Sequence, residues 1–352
     1  MTWLWFLAVV IAVVWLIGRL HLSGADLRQY DAPAGEQFPG TDFSDERDHV
    51  EASLKVGSGA IREQPRREQL KLLREYLDNM STGLDLPATF TPVDAGGVPA
   101  EWVIAPESDP DRRLLYIHGG GFVMGSPRSH RNITAHFAKL CGVSVLSVDY
   151  RLMPEHPRLA GVEDCQLAYQ WLLENGPEGS CAPSLILVAG DSAGGNLSLM
   201  ISAWSRDHAS RKVDGVVALS PVTDLTLGSP SMKDNIETDA MLGPMFAGLA
   251  KIPRPLLLWM SWFQGRTTPA NPVISPVFGD LSNLPPTLVH ASESEMLRDD
   301  GRRYVNRTVS QGSPARLQTW PAVVHVWHMF YPDLTEAREA WEEIRKFIAE
   351  LG

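Results

Sequence analysis

Short apolar runs alternating with longer amphipathic segments predict an α/β protein, a mainly parallel sheet covered by helices on both faces and topped by a helical cap. Three observations carry this. Apolar runs recur at residues 114–117, 143–148, 185–189, 213–219 and 287–290. Segments long enough for crossover helices, such as 129–140, 163–175 and 194–208, lie between several of them. One longer insertion, residues 225–268, holds "DAMLGPMFAGLAKIPRPLLLWMSWFQG", which is too apolar for a free loop.

The chain has 352 residues, 44% hydrophobic and 21% charged, enough for a substantial core. Its formal net charge of −11 and lack of any basic stripe argue against nucleic-acid binding. Three cysteines, Cys141, Cys165 and Cys181, have neither an even count nor CxxC spacing, so they read as buried small hydrophobes. Motifs for a metal or a nucleotide are missing, and the expectation is no metal and no cofactor.

In chain order, residues 1–17 have only Thr2 as a polar residue and no charge before Arg19, with Trp3, Trp5 and Trp15 near the ends. This pattern predicts an N-terminal membrane anchor over residues 1–19, with a cleaved signal peptide or a helix buried in the protein as the competing readings. Arg19 and Arg28 follow the segment and nothing basic precedes it, which puts the main domain in the cytoplasm if the anchor is kept. Cleavage would make the protein secreted or periplasmic. Residues 20–48 read as a linker. In "RREQLKLLREYLDNM", Leu70, Leu73, Leu77 and Met80, with Tyr76, mark one face of a surface helix. Residues 89–94 and 98–104 flank an Ala-Gly-Gly turn and read as an antiparallel pair. The resulting domains are the N-terminal segment 1–19, a linker with cap helices over 20–85, and a main domain over 86–352 that carries the insertion.

Two stretches carry chemistry. Gly190-Asp191-Ser192-Ala193-Gly194 follows an apolar strand and opens a helix, the setting in which a serine hydroxyl stands above a sheet as a nucleophile. Small neighbours are needed because the backbone turns sharply there, and the helix amino end favours developing negative charge. Asp191 itself is expected to face outward or to cap locally. Earlier, His118-Gly119-Gly120-Gly121 closes another strand and offers backbone amides to a carbonyl oxygen turning negative. A serine nucleophile needs a base, and the base an orienting acid, later in the chain in the order acid, then histidine. The acids after the strand at 287–290 are Glu293, Glu295, Asp299 and Asp300, and the histidines beyond them are His325 and His328.

With "HGGGF", "VDYRLMPEHP", "GDSAGGN", "SPVTDLT" and "LPPTLVHASESEMLRDD" in this order, residues 85–350 resemble the hormone-sensitive-lipase-like family of α/β-hydrolases. The resemblance implies an eight-stranded sheet with a cap built from N-terminal helices and the later insertion. It implies oxyanion donors at the amides of Gly120, Gly121 and Ala193, and the register of Asp-Pro-Leu-x-Asp selects Glu295 as the acid, with Glu293 or Asp299 as fallback. The same register selects His325 as the base over His328. His118 reads as an orienting residue, and Asp149, Arg151 and Glu155 as braces of the loops. Arg158-Leu159-Ala160-Gly161 departs from the family's usual run.

The implied activity is serine carboxylic-ester hydrolysis of small to medium apolar acyl esters through an acyl-enzyme. Lactone or N-acetyl hydrolysis by the same mechanism is the alternative, and a non-catalytic small-ligand receptor a third reading. Met245, Phe246, Trp259, Trp262 and Phe263 of the insertion are the candidate pocket lining. Oligomeric state is not legible.

Overall fold

The computed structural model describes residues 2–40, 44–62 and 64–352. The N-terminal part holds α1 (Thr2–Leu20), the two-residue strand β1 (Glu36–Gln37), α2 (Ser44–Arg62) and α3 (Arg66–Asn79). There follow β2 (Thr89–Asp94), β3 (Pro99–Ile104), β4 (Asp109–Ile117), α4 (Arg131–Cys141), β5 (Val143–Val148) and α5 (Arg158–Leu172). A ribbon of β6 (Asn175–Gly176) and β7 (Gly179–Ser180) leads to β8 (Leu185–Asp191), α6 (Ala193–His208) and β9 (Gly215–Leu219). The insertion contributes α7 (Ser231–Asp234), α8 (Gly243–Phe246) and α9 (Arg254–Gly265), before β10 (Thr287–Ser292), α10 (Arg298–Ser310), β11 (Ala315–Trp320) and α11 (Thr335–Glu350).

The main sheet runs β1-β11-β10-β9-β8-β4-β5-β3-β2. Only the β2–β3 and β3–β5 pairs are antiparallel. The eight expected strands are therefore joined by a ninth of two residues, Glu36 and Gln37, which extends the edge beside Gln318 and Thr319 inside the stretch read as linker. Strand β8 is buried at every position, as parallel strands covered on both faces must be. Its side chains alternate between two core layers. Ile186 and Val188 join residues of α5, α6 and α10 on one face, whereas Leu187 and Ala189 join α4 and α11 on the other. Parallel pairing also brings the carboxyl ends of β4, β8, β9, β10 and β11 to one rim, where such sheets bind ligands.

The membrane expectation is overturned. Among the described residues no helix is long and apolar enough to cross a membrane. α1 instead packs against α9 of the insertion, where Trp259 Nε1 donates to Val14 O at 3.0 Å. Gly18 lets the two helices close up, since a β-carbon there would stand 3.1 Å from Trp259 Nε1 and 3.2 Å from Pro255 Cβ. An apolar N-terminal run thus has a protein partner, so its composition alone does not imply lipid. The cysteines also differ from expectation: Cys165 is buried, but Cys141 is half-buried and Cys181 exposed.

Candidate active site

Ser192 stands between the end of β8 and the first residue of α6, with φ 52° and ψ −114°. A side chain rarely adopts that conformation, and the surrounding packing has to hold it. The Ser192 amide donates to Leu219 O at 2.8 Å, which locks the turn to the end of β9. Gly194 is required by close approach rather than by dihedral angle. A β-carbon on it would lie 2.6 Å from His118 O and closer still to Ile117 O.

β4 delivers His118 and the three glycines beside this turn. Gly120 has φ +109° and Gly121 φ +62°, and a β-carbon on Gly120 would sit 2.6 Å from Met124 C. Neither of these amides, nor that of Ala193, donates a hydrogen bond among the described residues.

Asp191 corrects the expectation of an outward or locally capping side chain, because it is 3% exposed and points beneath the glycine loop. Its Oδ1 accepts from Tyr116 Oη at 2.6 Å and from the Gly119 amide at 3.0 Å. Its Oδ2 lies 3.3 Å from His130 Nε2. Burial works against the charge, yet His130 and the Tyr116 hydroxyl hold the Asp191 carboxyl below its ordinary range. His118 is stacked on Tyr150 at 4.3 Å between ring centroids, and burial depresses its pKa to about 3, so it stays neutral.

The opposite wall comes from β10 and β11. Glu295 is wholly buried, with Oε1 accepting from the Ser292 amide at 2.9 Å and Oε2 2.6 Å from His325 Nδ1. Asn235 Nδ2 donates to both Glu293 O and Glu295 O at 2.8 Å, fixing the acid's loop from the insertion. Burial alone would lower the His325 pKa, but the hydrogen bond and charge of Glu295, with Asp239 and Asp191 further off, raise it above the ordinary 6.5. Its Nε2 is buried and has no hydrogen-bond partner among the described residues. That nitrogen is oriented, polar and uncommitted.

The alternative residues are engaged elsewhere. Glu293 pairs with Arg298 and Arg302, and Asp299 bonds the same two arginines and the Ser231 amide. His328 turns into the core, with Nε2 3.0 Å from His290 Nδ1, and burial beside His290 and His325 drives its pKa well down. Ser220, just after β9, ties into this second wall, because its amide donates to His290 O and its Oγ accepts from the amide of Val326, next to His325.

Of the insertion residues, Phe246 lines a cavity of about 220 Å³ with Leu257 and Met296. Trp259, Trp262 and Phe263 form one ring cluster, and Met245 and Phe263 are 47% and 59% exposed. Arg74 of α3 donates to Val123 O, Met153 O and Glu155, and Arg151 pairs with Asp164.

Sequence reasoning gave Arg158 no role beyond its departure from the family's run. Its guanidinium lies 3.6 Å over the Phe122 ring and Nη2 donates to Asn196 Oδ1 at 3.0 Å. It therefore ties the glycine loop to the helix that starts at the serine. Burial lowers its pKa to about 10, so it remains a cation at neutral pH. Among the described residues no cluster of three or more His, Cys, Asp or Glu could hold a metal ion.

A family model described as alpha/beta hydrolase fold matches residues 114–329. An acetyl-hydrolase of Streptomyces hygroscopicus is 33% identical over 302 residues, covering 86% of this chain and 94% of that one. The carboxylesterase/phospholipase LipF of Mycobacterium tuberculosis is 35% identical over 269 residues, 76% of this chain and 68% of its own length. The crystal structure of an esterase from the bacterial hormone-sensitive lipase family aligns with a TM-score of 0.75 at 33% identity, covering 89% of this chain and all of that one.

Proposed function

The chain belongs to the hormone-sensitive-lipase-like family of alpha/beta hydrolases and is a carboxylic ester hydrolase, and we propose that Ser192, His325 and Glu295 carry its chemistry. The observation that supports this reading is His325 itself, gripped by Glu295 on one ring nitrogen and without a partner on the other among the described residues.

In the proposed cycle Ser192 Oγ attacks the ester carbonyl carbon as its proton passes to His325 Nε2. The carbonyl oxygen becomes an anion received by the amides of Gly120, Gly121 and Ala193. When the carbon–oxygen bond to the alcohol breaks, His325 returns the proton to the leaving oxygen. Water then repeats the sequence on the acyl-enzyme, giving a carboxylic acid and free Ser192. Glu295 fixes the imidazole tautomer and stabilises the imidazolium that forms twice per turnover.

We assign the cap to the helices before residue 86 together with the insertion at 225–268, a division supported by α1 lying on α9. The proposed substrates are small to medium apolar acyl esters, and the printed name of the Streptomyces relative, acetyl-hydrolase, favours the short end of that range. A fluorophosphonate probe tests the assignment. It should label the native protein once and leave Ser192→Ala unlabelled; labelling that survives Ser192→Ala removes the proposed nucleophile.

A further inference from the structure

A second cavity, of about 460 Å³, lies where α1, the loop after it, α9 and α10 meet, and none of the residues proposed for catalysis lines it. Four arginines face it in a chain whose net charge is −11: Arg19, Arg28, Arg254 and Arg303. Their engagements differ. Arg28 is held by Asp26 at 2.6 Å, and Arg303 Nε donates to Asp31 at 2.6 Å while its Nη1 takes Gly228 O. Arg19 and Arg254 make no ion pair among the described residues.

Arg254 is half-buried, and its donors reach only neutral oxygens: Thr226 O and Oγ1 at 2.7 Å, and Ser23 O at 3.3 Å. Asp224 also lines the cavity and attracts Arg254, but its buried carboxylate accepts from the amides of Thr226 and Gly228 and makes no direct ion pair with that arginine among the described residues. Burial lowers the pKa of Arg254 despite the opposing pull of Asp224. The four arginines outnumber the two carboxylates of the lining, Asp26 and Asp224, so the cavity keeps an excess of positive charge that an anion from outside would balance. Gly228 keeps the approach open, since a β-carbon there would come within 2.8 Å of Arg254 Nη2. The lining also holds two carboxylates, Asp26 and Asp224, and an apolar stretch made by the buried Leu27 and Leu258 with Trp15 and Pro255.

We infer that this cavity is a binding site for an amphipathic organic anion, its carboxylate or phosphate head between Arg19 and Arg254 and its apolar stem against Trp15, Leu27 and Leu258. The geometry is that of a recognition site: a pair of donors fixes the head, and a nonpolar trough sets the size of the tail. Because α1 and α9 form two of its sides, an occupant would also tie the N-terminal helix to the insertion.

Isothermal titration of the full chain with octanoate, octyl phosphate and octanol tests this. Both anions should bind saturably and octanol about tenfold or more weaker, with the anion affinity falling as sodium chloride is raised. Stronger binding of octanoate or of octyl phosphate identifies which head group the arginines prefer. Arg254→Gln should weaken both anions about tenfold, the size of one lost charge-assisted contact. Arg19→Gln, at an exposed position where folding is not at stake, should weaken them in the same direction. Equal affinity for octanol, absence of saturable anion binding, or affinities unchanged in both variants would overturn the inference.

Discussion

Asp191 turns inward beside Ser192 and accepts the hydroxyl of Tyr116 at 2.6 Å, with the Gly119 amide on the same oxygen at 3.0 Å. One buried carboxylate therefore couples the serine's strand to the strand that ends in the glycines. Asp191→Ala would orphan a buried hydroxyl and a buried amide, each costing about 1–3 kcal/mol. The expected result is a loss of about 2 kcal/mol or more in urea unfolding, and a kcat that falls by a larger factor than KM rises, because the displaced loop is the one proposed to serve the transition state. An unchanged kcat would show that the glycine loop keeps its position without this anchor.

The acid limb of the pH profile reports on His325. Its pKa lies above 6.5 and the base must be neutral to accept a proton, so kcat/KM should fall as the pH drops through a value above 6.5. Glu295→Gln removes the hydrogen-bonded charge that raises this pKa. The limb should move to lower pH and the plateau should drop on the order of 10³-fold or more. Glu293→Gln should leave the limb in place, since Glu293 faces Arg298 and Arg302. The stability effect has a matching sign. A histidine raised by its partner contributes stability fully below its unfolded pKa of about 6.5 and loses it as pH rises through the folded value. Glu295→Gln should therefore narrow the gap in Tm between pH 6 and pH 9, which thermal unfolding at the two pH values would measure.

Gly194→Ala should be the least tolerated change at the nucleophile turn. Its β-carbon would meet His118 O at 2.6 Å and Ile117 O at less, and both are backbone atoms of a buried strand end that cannot swing away. Overpacking of this kind costs about 1–3 kcal/mol or more. The expectation is a clear drop in the urea midpoint together with loss of esterase activity, whereas Gly248→Ala, with open space around it, should show neither.

The seat of α1 on α9 predicts a different response. Gly18→Val adds atoms facing Trp259 Nε1 and Pro255, and so should push the helices apart. Hydrogen exchange should quicken in α1 and in the first turns of α9, with the exchange of β8 unchanged. Uniform exchange rates across wild type and variant would mean that the α1–α9 contact contributes little.

Most of the fold was legible because burial leaves a periodic trace. Strand β5 came out of the sequence with its bounds unchanged at 143 and 148, and α6 opens within one residue of the expected position. The losses have physical causes. Glu36 and Gln37 pair with β11 over two residues only, and their polar, exposed side chains, one of them taking Gln318 Nε2, give no strand signal. Asp191 was misjudged because an acid in a glycine turn reads as solvent-facing, and its partners Tyr116 and His130 lie 75 and 61 positions away. α1 was misjudged because an apolar run carries no information on whether lipid or α9 covers it. The five motifs marked the loops after β4, β5, β8, β9 and β10, yet they were silent on what Arg158 does across Phe122 and Asn196.

The central claim is that Ser192 and His325 act as a unit, and a double-mutant cycle on kcat/KM for a short acyl ester measures that directly. If the proton of one passes to the other, Ser192→Ala, His325→Ala and the double variant should all be reduced to a common residual rate, because removing either disables the step. Losses that multiply in the double variant would mean that the two side chains contribute independently, and would contradict the mechanism.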